Sequence, residues 1–306
     1  MKVIYFGTPS IAAEVLDFLI EKGVEVLAVV TKGDKPQGRS GKPTFSPVKE
    51  LVTEKYPTLP LYQPDKASTP AFEEELRRYG ADLFVVFAYG EIMKKDLLAI
   101  PRCGCINLHP SLLPKYRGPA PIIHALLDGA KETGVSIIEM VLKMDAGDIL
   151  AQEKIAISEE MDRGELEKIL VELGSETLLR VIKNYSHHVK QKVPQDEASA
   201  TYVQKITPDK TKINWDQPAT VLHNQIRAFS PRPGVWCTAQ VEGKEKRLKI
   251  FKSLPLKDKK NSYAAGEWVI PCGEGALSIL ELQLEGKKRL FIDAFTRGMP
   301  KAPTLT

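Results

Sequence analysis

The pattern of apolar and polar residues divides the chain into two parts of different character. In the first part, short runs of continuous apolar residues alternate with segments of helical periodicity. Strands that lack polar alternation are covered on both faces, so this order predicts a doubly wound, mostly parallel α/β sheet. The predicted strands are residues 2–6, 24–30, 81–87, 104–108 and 134–141, and the predicted helices are residues 11–21, 72–78, 119–127 and, as one or two helices, 161–189.

The pattern changes after residue 189. Residues 190–208 are polar and weakly periodic, which is typical of a linker that runs over the surface. One further helix is predicted at residues 219–228, and short alternating runs separated by Gly and Lys follow it. These runs, at residues 235–241, 248–253, 267–270 and 276–284, predict a small antiparallel, OB-like β-barrel within residues 209–306.

The positive charge of the chain is concentrated in this second part. Residues 209–306 contain 17 Lys and Arg against 10 Asp and Glu, a net charge of +7, whereas residues 1–208 carry −3. Basic clusters of this kind attract polyanions, and Lys244, Lys246 and Arg247 belong to the first of them. The alternative is that such short Lys-rich runs are solvated hairpin tips.

Composition narrows the class of protein further. With 43% hydrophobic and 27% charged residues, the chain has an ordinary globular composition. Its longest apolar runs, such as residues 24–30, are far shorter than the ~18 residues that a membrane span needs, and no export signal is visible, so a cytoplasmic protein without membrane contact is expected. Four cysteines without a Cys-x-x-Cys pair predict neither a disulfide framework nor a metal site.

The strongest candidate chemistry lies at the end of the strand predicted at residues 104–108. Asn107 and His109 are two residues apart, so in an extended backbone their side chains point to the same face. An amide donor beside an imidazole can hold an oxyanion and move one proton; the alternative is that both side chains only cap the strand. The turn after the first strand has one glycine, Gly7, instead of Gly-x-Gly-x-x-Gly, which argues against a nicotinamide cofactor.

A carboxylate for this site is predicted in the loop after residues 134–141. Asp145 can orient His109 and stabilise its charge, and Gly147 lets the loop bend close to a neighbouring strand end. Asp148 can serve equally well, or both acids can be solvated in the loop. The pattern alone does not choose between these alternatives.

Four blocks of sequence carry a resemblance to a known family. They are Asn107-x-His109, Ser111-Leu-Leu-Pro114, Arg117-Gly118-x-Ala120-Pro121 and Asp145-x-Gly147-Asp148. In this order and with this spacing they resemble the folate-dependent formyltransferase family, whose members move a formyl unit from 10-formyltetrahydrofolate to an amine. The resemblance implies a Rossmann-like formyltransferase domain at residues 1–189, with 10-formyltetrahydrofolate as the cosubstrate and without a metal.

The resemblance also implies roles for individual residues. It places catalysis on Asn107, His109 and Asp145. The residues that would line the folate site are Ser111, Leu112, Leu113 and Pro114, with the backbone of Phe87, Ala88, Tyr89 and Gly90 on the pterin side.

Other segments indicate the amine acceptor. Residues 34–49, with the elements Gly38-Arg39 and Ser46-Pro47-Val48-Lys49, are similar to the long first loop of the family members that act on methionyl initiator tRNA, and so are parts of the last third. The resemblance implies this tRNA as the partner, a role in translation initiation, and a monomeric cytoplasmic enzyme. The implied tRNA contacts are Arg39 and Lys42 in the loop, and Lys244, Lys246 and Arg247 in a basic tRNA-binding domain, residues 209–306, which residues 190–208 link to the catalytic domain.

Two other functions are compatible with parts of this pattern. A sugar-nucleotide N-formyltransferase shares the catalytic blocks and can carry a similar C-terminal domain, but it does not need the basic first loop. A non-enzymatic RNA-binding protein on an inactivated scaffold is the other alternative, and the intact Asn107, His109 and Asp145 argue against it.

Overall fold

Strands and helices alternate through the first two thirds of the chain, as the apolar pattern predicts. The computed structural model describes residues 1–36 and 43–305. The elements of this part are β1 (Lys2–Gly7), α1 (Ser10–Glu21), β2 (Glu25–Val30), β3 (Lys35–Pro36), β4 (Pro43–Thr44), α2 (Pro47–Lys55), β5 (Leu61–Tyr62), α3 (Pro70–Arg77), β6 (Leu83–Phe87), α4 (Lys95–Leu98), β7 (Cys105–His109), α5 (Pro121–Leu127), β8 (Glu132–Glu139), β9 (Ile149–Ala156), α6 (Arg163–Lys183) and α7 (Tyr185–Lys190).

The last third is dominated by strands. Its elements are α8 (Ala219–Phe229), β10 (Val235–Val241), β11 (Lys244–Leu256), β12 (Ser262–Ala264), β13 (Glu267–Pro271), β14 (Ala276–Leu284), β15 (Leu290–Phe291), α9 (Ile292–Gly298) and β16 (Thr304–Leu305). Two short 3₁₀ turns, Glu197–Ser199 and Pro208–Thr211, precede α8. Within the described ranges, no helix has the length and hydropathy to cross a bilayer.

The chain forms two compact units, and each is built from more than one segment. The first unit contains Met1–Gly118, Thr133–Ile155 and Glu167–Tyr202, and the second contains Pro119–Glu132, Ala156–Leu166 and Val203–Thr306. Helix α5 packs against α8, so Pro119–Glu132, which contains α5, belongs to the second unit although it lies between two segments of the first. These two units group residues that contact one another, and they do not mark where a separately folding domain begins or ends. The domain limits at residues 1–189, 190–208 and 209–306 therefore stay a prediction.

The first unit is built around one sheet with the strand order β5-β2-β1-β6-β7-β8-β9. The pairs β5/β2, β2/β1, β1/β6 and β6/β7 are parallel, and β7/β8 is antiparallel. Every residue of β6 is buried, as a continuous apolar run requires. The predicted doubly wound, mostly parallel sheet is therefore confirmed, and helices α6 and α7 confirm the prediction for residues 161–189.

The register of this sheet brings three strand ends to one edge. Gly7 at the end of β1 pairs with Phe87 at the end of β6, and Val86 pairs with Asn107 of β7. The turns that follow β1, β6 and β7 therefore leave the sheet side by side. This carboxyl edge is where open α/β sheets bind their ligands.

The second unit is built around a curled antiparallel sheet with the strand order β12-β13-β14-β11-β10-β16, in which β15 also pairs with β14. Cys237 and Ala239 of β10 are buried, whereas the alternate residues Trp236 and Thr238 are partly exposed, so one face forms a core. The register of β11 against β14 shifts twice near Lys252, and such irregularities bend a strand. The curled half-barrel confirms the predicted OB-like fold.

Candidate active site

Asn107 and His109 lie at the carboxyl end of β7, as predicted. Asn107 pairs with Ile138 of β8, and His109 pairs with Ser136. His109 is buried, whereas Asn107 is partly exposed. The side-chain amide of Asn107 has no hydrogen-bonding partner among the described residues. It is therefore a donor that no other described residue uses, on the strand that carries a buried imidazole.

The His109 imidazole is held from two sides. Its Nε2 donates to the Tyr116 carbonyl oxygen at 2.9 Å, and its Nδ1 lies 3.6 Å from Oδ2 of Asp145. A carbonyl oxygen can only accept, so Nε2 carries the hydrogen and Nδ1 is free to take a proton. Burial lowers the pKa of His109 below its usual 6.5, although Asp145 and the Tyr116 carbonyl oppose this shift. At neutral pH the imidazole is uncharged and able to act as a base.

The Asp145 carboxylate is held by a backbone amide from the loop that follows β7. The residue lies in the left-handed region with φ 51°, which Asp and Asn tolerate better than most residues. The Gly118 amide donates to Oδ2 at 2.8 Å. At Gly147, a Cβ atom would lie 1.8 Å from the Glu139 carbonyl oxygen, so the predicted close approach of the loop to a strand end requires glycine there.

Asp148 occupies a different environment from Asp145. Its Oδ2 lies 3.1 Å from Nζ of Lys192, which also bonds Glu139 at 2.6 Å. The structure therefore brings Asp145, and not Asp148, to His109. The sequence pattern leaves open whether Asp145 or Asp148 lies beside His109, and in this structure it is Asp145. The catalytic role of Asp145 stays a prediction.

The predicted folate segment, Ser111 to Pro114, is held by two residues that the sequence analysis did not identify. Ser136 of β8 donates to the Ser111 carbonyl oxygen at 2.7 Å and accepts from the Leu113 amide at 3.2 Å. Gln152 of β9 donates to the Leu113 carbonyl oxygen at 2.9 Å. These are polar side chains on strands that pack against the loop. The only sequence signal of Ser136 is a polar residue within an apolar run, and Gln152 lies in a polar stretch that gives no such signal.

Within this segment, the side chains divide into two groups. Ser111 is fully buried, and its hydroxyl donates to the Lys115 carbonyl oxygen at 2.7 Å. Leu113 is also buried, whereas Leu112 and Pro114 are partly exposed. Leu112 and Pro114 are therefore available to line a ligand, and Ser111 stabilises the loop.

The other predicted folate segment, Phe87 to Gly90, continues from the end of β6. Phe87 and Tyr89 are buried, and Ala88 and Gly90 are exposed. The Tyr89 ring packs in the core at 5.4 Å from the ring of Phe6, so of this residue only the backbone is available to a ligand. The folate-lining role of the segment stays a prediction. The Thr8 hydroxyl donates to the Tyr89 carbonyl oxygen at 2.9 Å and joins the turns after β1 and β6.

A buried arginine lies close to these elements in the chain. Arg117 is fully buried, and its guanidinium donates to both carboxylate oxygens of Glu197 at 2.9 and 3.1 Å. It also donates to the Tyr202 hydroxyl at 3.0 Å. A buried charge needs such partners, and here they all come from the segment that the sequence pattern describes as a linker.

Of the five basic residues predicted to contact tRNA, the structure describes three. Arg39 and Lys42 lie outside the described residues. Arg247 pairs with Thr238 across β10 and β11, and its guanidinium lies 4.1 Å from the ring centre of Trp236 on the outer face. Lys244 and Lys246 pair with the buried residues Val241 and Ala239 and so belong to the opposite face, near the hairpin turn. Nζ of Lys212 also lies near the Trp236 ring, at 5.6 Å from the ring centre.

Titratable side chains do not form a metal site in the described parts of the chain. No group of three or more His, Cys, Asp and Glu side chains there is arranged to hold a metal ion. The functional groups described at the end of β7 are one amide donor and one imidazole–carboxylate pair.

Comparisons with known proteins identify the family of the chain. The formyl transferase family model matches residues 1–182, and the model of the formyl transferase C-terminal domain matches residues 205–300. The methionyl-tRNA formyltransferase of Protochlamydia amoebophila (strain UWE25) is 46% identical over 307 residues, which cover 98% of this chain and 96% of the relative. The methionyl-tRNA formyltransferase of Syntrophomonas wolfei is 38% identical over 311 residues, covering 99% of this chain and 97% of the relative.

Solved structures share the fold. The N-formyltransferase from Helicobacter canadensis, in complex with folinic acid and dTDP-3-aminofucose, superposes with a TM-score of 0.66 at 20% identity, over 95% of this chain and 100% of that chain. WlaRD, a sugar 3N-formyl transferase with dTDP and 5-N-formyl-THF, has a TM-score of 0.65 at 19% identity, over 94% and 99%. With two matching domain models and near-full-length relatives, the chain belongs to the formyl transferase family, within the group of methionyl-tRNA formyltransferases.

Proposed function

We propose that this protein transfers the formyl group of 10-formyltetrahydrofolate to the α-amino group of methionyl initiator tRNA, for translation initiation. The observation that carries the proposal is the Asn107 amide, which has no partner among the described residues, beside the His109–Asp145 pair at the carboxyl edge of the sheet. The near-full-length similarity to methionyl-tRNA formyltransferases supports the acceptor. We further propose that the enzyme acts as a monomer in the cytoplasm.

The acceptor amine needs little activation. The reference pKa of an α-amino group is about 7.7 to 8.0, so a useful fraction is neutral at pH 7. This amine attacks the formyl carbon, and the developing negative charge on the formyl oxygen needs a donor. The Asn107 amide has no partner in the described parts of the chain, so it can donate to this oxygen without losing another bond.

The proton of the amine is assigned to His109. Nδ1 accepts it, and the imidazolium is then held between the Asp145 carboxylate and the Tyr116 carbonyl oxygen. The positive charge formed beside Asn107 also stabilises the oxyanion. As the bond between the formyl carbon and the folate nitrogen breaks, the proton passes to that nitrogen, so neither a metal nor a covalent enzyme intermediate is needed.

The folate donor fits the loops at the same edge. Leu112 and Pro114 expose apolar surface there, and the backbone at Ala88 and Gly90 is exposed. Ser136 holds the Ser111–Pro114 loop and Thr8 holds the turn at Tyr89, and this fixed arrangement costs little entropy on binding. Folinic acid and 5-N-formyl-THF accompany the two solved relatives named above, which supports a folate cosubstrate.

The direct test is the transfer of labelled formyl from 10-formyltetrahydrofolate to three acceptors in parallel. These are methionyl initiator tRNA, methionyl elongator tRNA and an amino-sugar nucleotide. We expect strong preference for the initiator tRNA. Transfer to the sugar nucleotide alone would keep the donor chemistry and overturn the acceptor, since the solved relatives include sugar N-formyltransferases.

The basic residues are proposed to bind tRNA phosphates, with Arg39 and Lys42 in the first loop and Lys244, Lys246 and Arg247 in the C-terminal unit. Binding should then weaken steeply with salt, because each neutralised phosphate releases counterions. We expect Arg247→Ala to lower the tRNA affinity and to reduce the slope of log K against log salt by about 1, with kcat at saturating tRNA unchanged. Fluorescence titration of initiator tRNA at several KCl concentrations measures both quantities.

The matched control removes one positive charge elsewhere. Lys22 is exposed at the end of α1, at the opposite end of that helix from the carboxyl edge of the sheet. Lys22→Ala should leave affinity and slope as in the wild type. Equal losses in the two variants would mean that Arg247 acts only through net charge.

A further inference from the structure

The side chain of Gln195 bridges a buried arginine and the loop that carries Asp145. Its Nε2 donates to the carbonyl oxygens of Asp145 and Gly147 at 2.8 and 2.7 Å. Its Oε1 accepts from Nε and Nη2 of Arg117 at 3.0 and 2.9 Å. An amide has two donor hydrogens and two acceptor lone pairs, so every hydrogen-bonding site of Gln195 is used.

The anchor of this bridge is rigid. Arg117 is fully buried, and Glu197 binds its guanidinium with both carboxylate oxygens. The Arg117 backbone amide donates to the Thr201 carbonyl oxygen at 2.9 Å. A buried guanidinium with this many partners cannot move without leaving polar groups unpaired, which is costly.

The segment also holds the loop at its beginning. Lys143 donates to Oε2 of Glu197 at 2.6 Å, two residues before Asp145. Arg117 first, and then Lys143, lower the pKa of Glu197 to about 2, so Glu197 is ionised throughout the physiological range. The loop is therefore tied to residues 195–197 both before and after Asp145.

These contacts act on a residue whose geometry needs support. Asp145 has φ 51°, a left-handed conformation that few residues other than glycine adopt. Gln195 binds its carbonyl oxygen, and Gly118, the neighbour of Arg117, binds its carboxylate. Both bonds lead back to Arg117, so one buried anchor fixes the main chain and the side chain of Asp145.

We infer that Gln195 is a positioning residue, which holds the Asp145 main chain so that the Asp145 carboxylate faces Nδ1 of His109. The inference rests on the proposed function as far as it concerns catalysis. Gln195 touches neither substrate nor reacting atoms in this role; it acts through Asp145. The segment predicted as a passive linker thereby becomes a support of the active site.

The decisive variant is Gln195→Glu. The carboxylate has the same shape and still accepts from Arg117, but it cannot donate to the two loop carbonyl oxygens and instead faces them with negative charge. We expect kcat to fall about tenfold or more, with KM for methionyl-tRNA changed less than about twofold, because a small misplacement of a catalytic group is costly. Gln195→Ala also loses the two bonds to Arg117, and its kcat should fall at least as far.

Two measurements separate positioning from a loss of folded protein. Thermal unfolding checks that Gln195→Glu is folded, since its bond to Arg117 remains. NMR titration of the His109 imidazole reports the nearby carboxylate, which raises the pKa of His109. In Gln195→Ala, which adds no charge of its own, His109 titrates at lower pH than in the wild type if Asp145 moves away. The matched control is Ser199→Ala, on the same segment but bonded to Asp196 and not to the loop, which should leave kcat and the His109 titration unchanged.

The outcomes distinguish this inference from the proposed function. A wild-type enzyme that formylates methionyl-tRNA, together with a Gln195→Glu variant of equal kcat and an unshifted His109 titration in Gln195→Ala, would overturn the inference and leave the function intact. A wild-type protein without formyl transfer would overturn the function. The His109 titration would still decide whether Gln195 positions Asp145, because it needs no substrate.

Discussion

Replacement of Asn107 by alanine is expected to lower kcat for formyl transfer by about a hundredfold or more, which is the usual cost of removing one oxyanion donor. In the described parts of the chain the amide has no partner, so its removal leaves no buried polar group unpaired. Stability should therefore change little. Single-turnover transfer at saturating substrates, together with the Tm of both proteins, measures the two effects.

Asn107→Asp is the matched variant for this prediction. It keeps the size of the side chain, loses the donor hydrogens and adds a negative charge next to the developing oxyanion, so its rate should fall at least as far as that of Asn107→Ala. A rate within about threefold of the wild type for Asn107→Ala would show that this amide is not the oxyanion donor.

The position of Asn107 and His109 could be predicted from the sequence because the signal is local. The strand that carries them is apolar and continuous, and such strands lie inside a parallel sheet. Residues two apart share a face of a strand, so the pair could be placed before its surroundings were known. The alternation of strands and helices alone predicts that the site lies at the carboxyl edge of the sheet.

Strand β9 was not predicted, and its composition explains why. Its burial alternates between buried or partly buried and exposed positions, with Gln152, Glu153 and Lys154 in its middle. An edge strand of this kind has no continuous apolar run and looks like a loop. Its contribution to the site, the bond from Gln152 to the Leu113 carbonyl oxygen, was therefore not found either.

The choice between Asp145 and Asp148 depends on contacts that are distant in sequence. Lys192 forms an ion pair with Asp148, and the backbone amide of Gly118 donates to the Asp145 carboxylate. The anchor of the site is also non-local, because the partners of Arg117 lie about 80 residues further along the chain. Residues 190–208 act through polar side chains, which leave no periodic pattern, so the sequence indicated only a linker.

Replacement of Asp145 by asparagine is the second change with a large expected effect. Asparagine tolerates φ 51° and its amide oxygen can still accept from Gly118, so the loop should keep its conformation. What is lost is the negative charge 3.6 Å from Nδ1 of His109. The imidazolium formed during transfer then lacks its counter-charge, and we expect kcat to fall by about a hundredfold or more.

The pH behaviour of His109 tests the cause of that loss. Burial already lowers the pKa of His109, and the Asp145 carboxylate opposes the shift, so the variant should titrate at still lower pH. Below pH 6.5 the unfolded chain binds a proton that the folded protein does not, and stability therefore falls as pH falls. In Asp145→Asn this loss should continue to lower pH than in the wild type. NMR titration of His109 and urea unfolding between pH 5 and 7 measure the two effects.

Asp148→Asn supplies the control on the same loop. It removes a carboxylate that bonds Lys192 and does not face His109, so its rate should stay within about threefold of the wild type and its His109 titration should not move. If instead Asp148→Asn lost the activity and Asp145→Asn kept it, the acid that supports His109 during the reaction would be Asp148. The loop would then have to move before catalysis, because the carboxylate that lies beside Nδ1 in this structure belongs to Asp145.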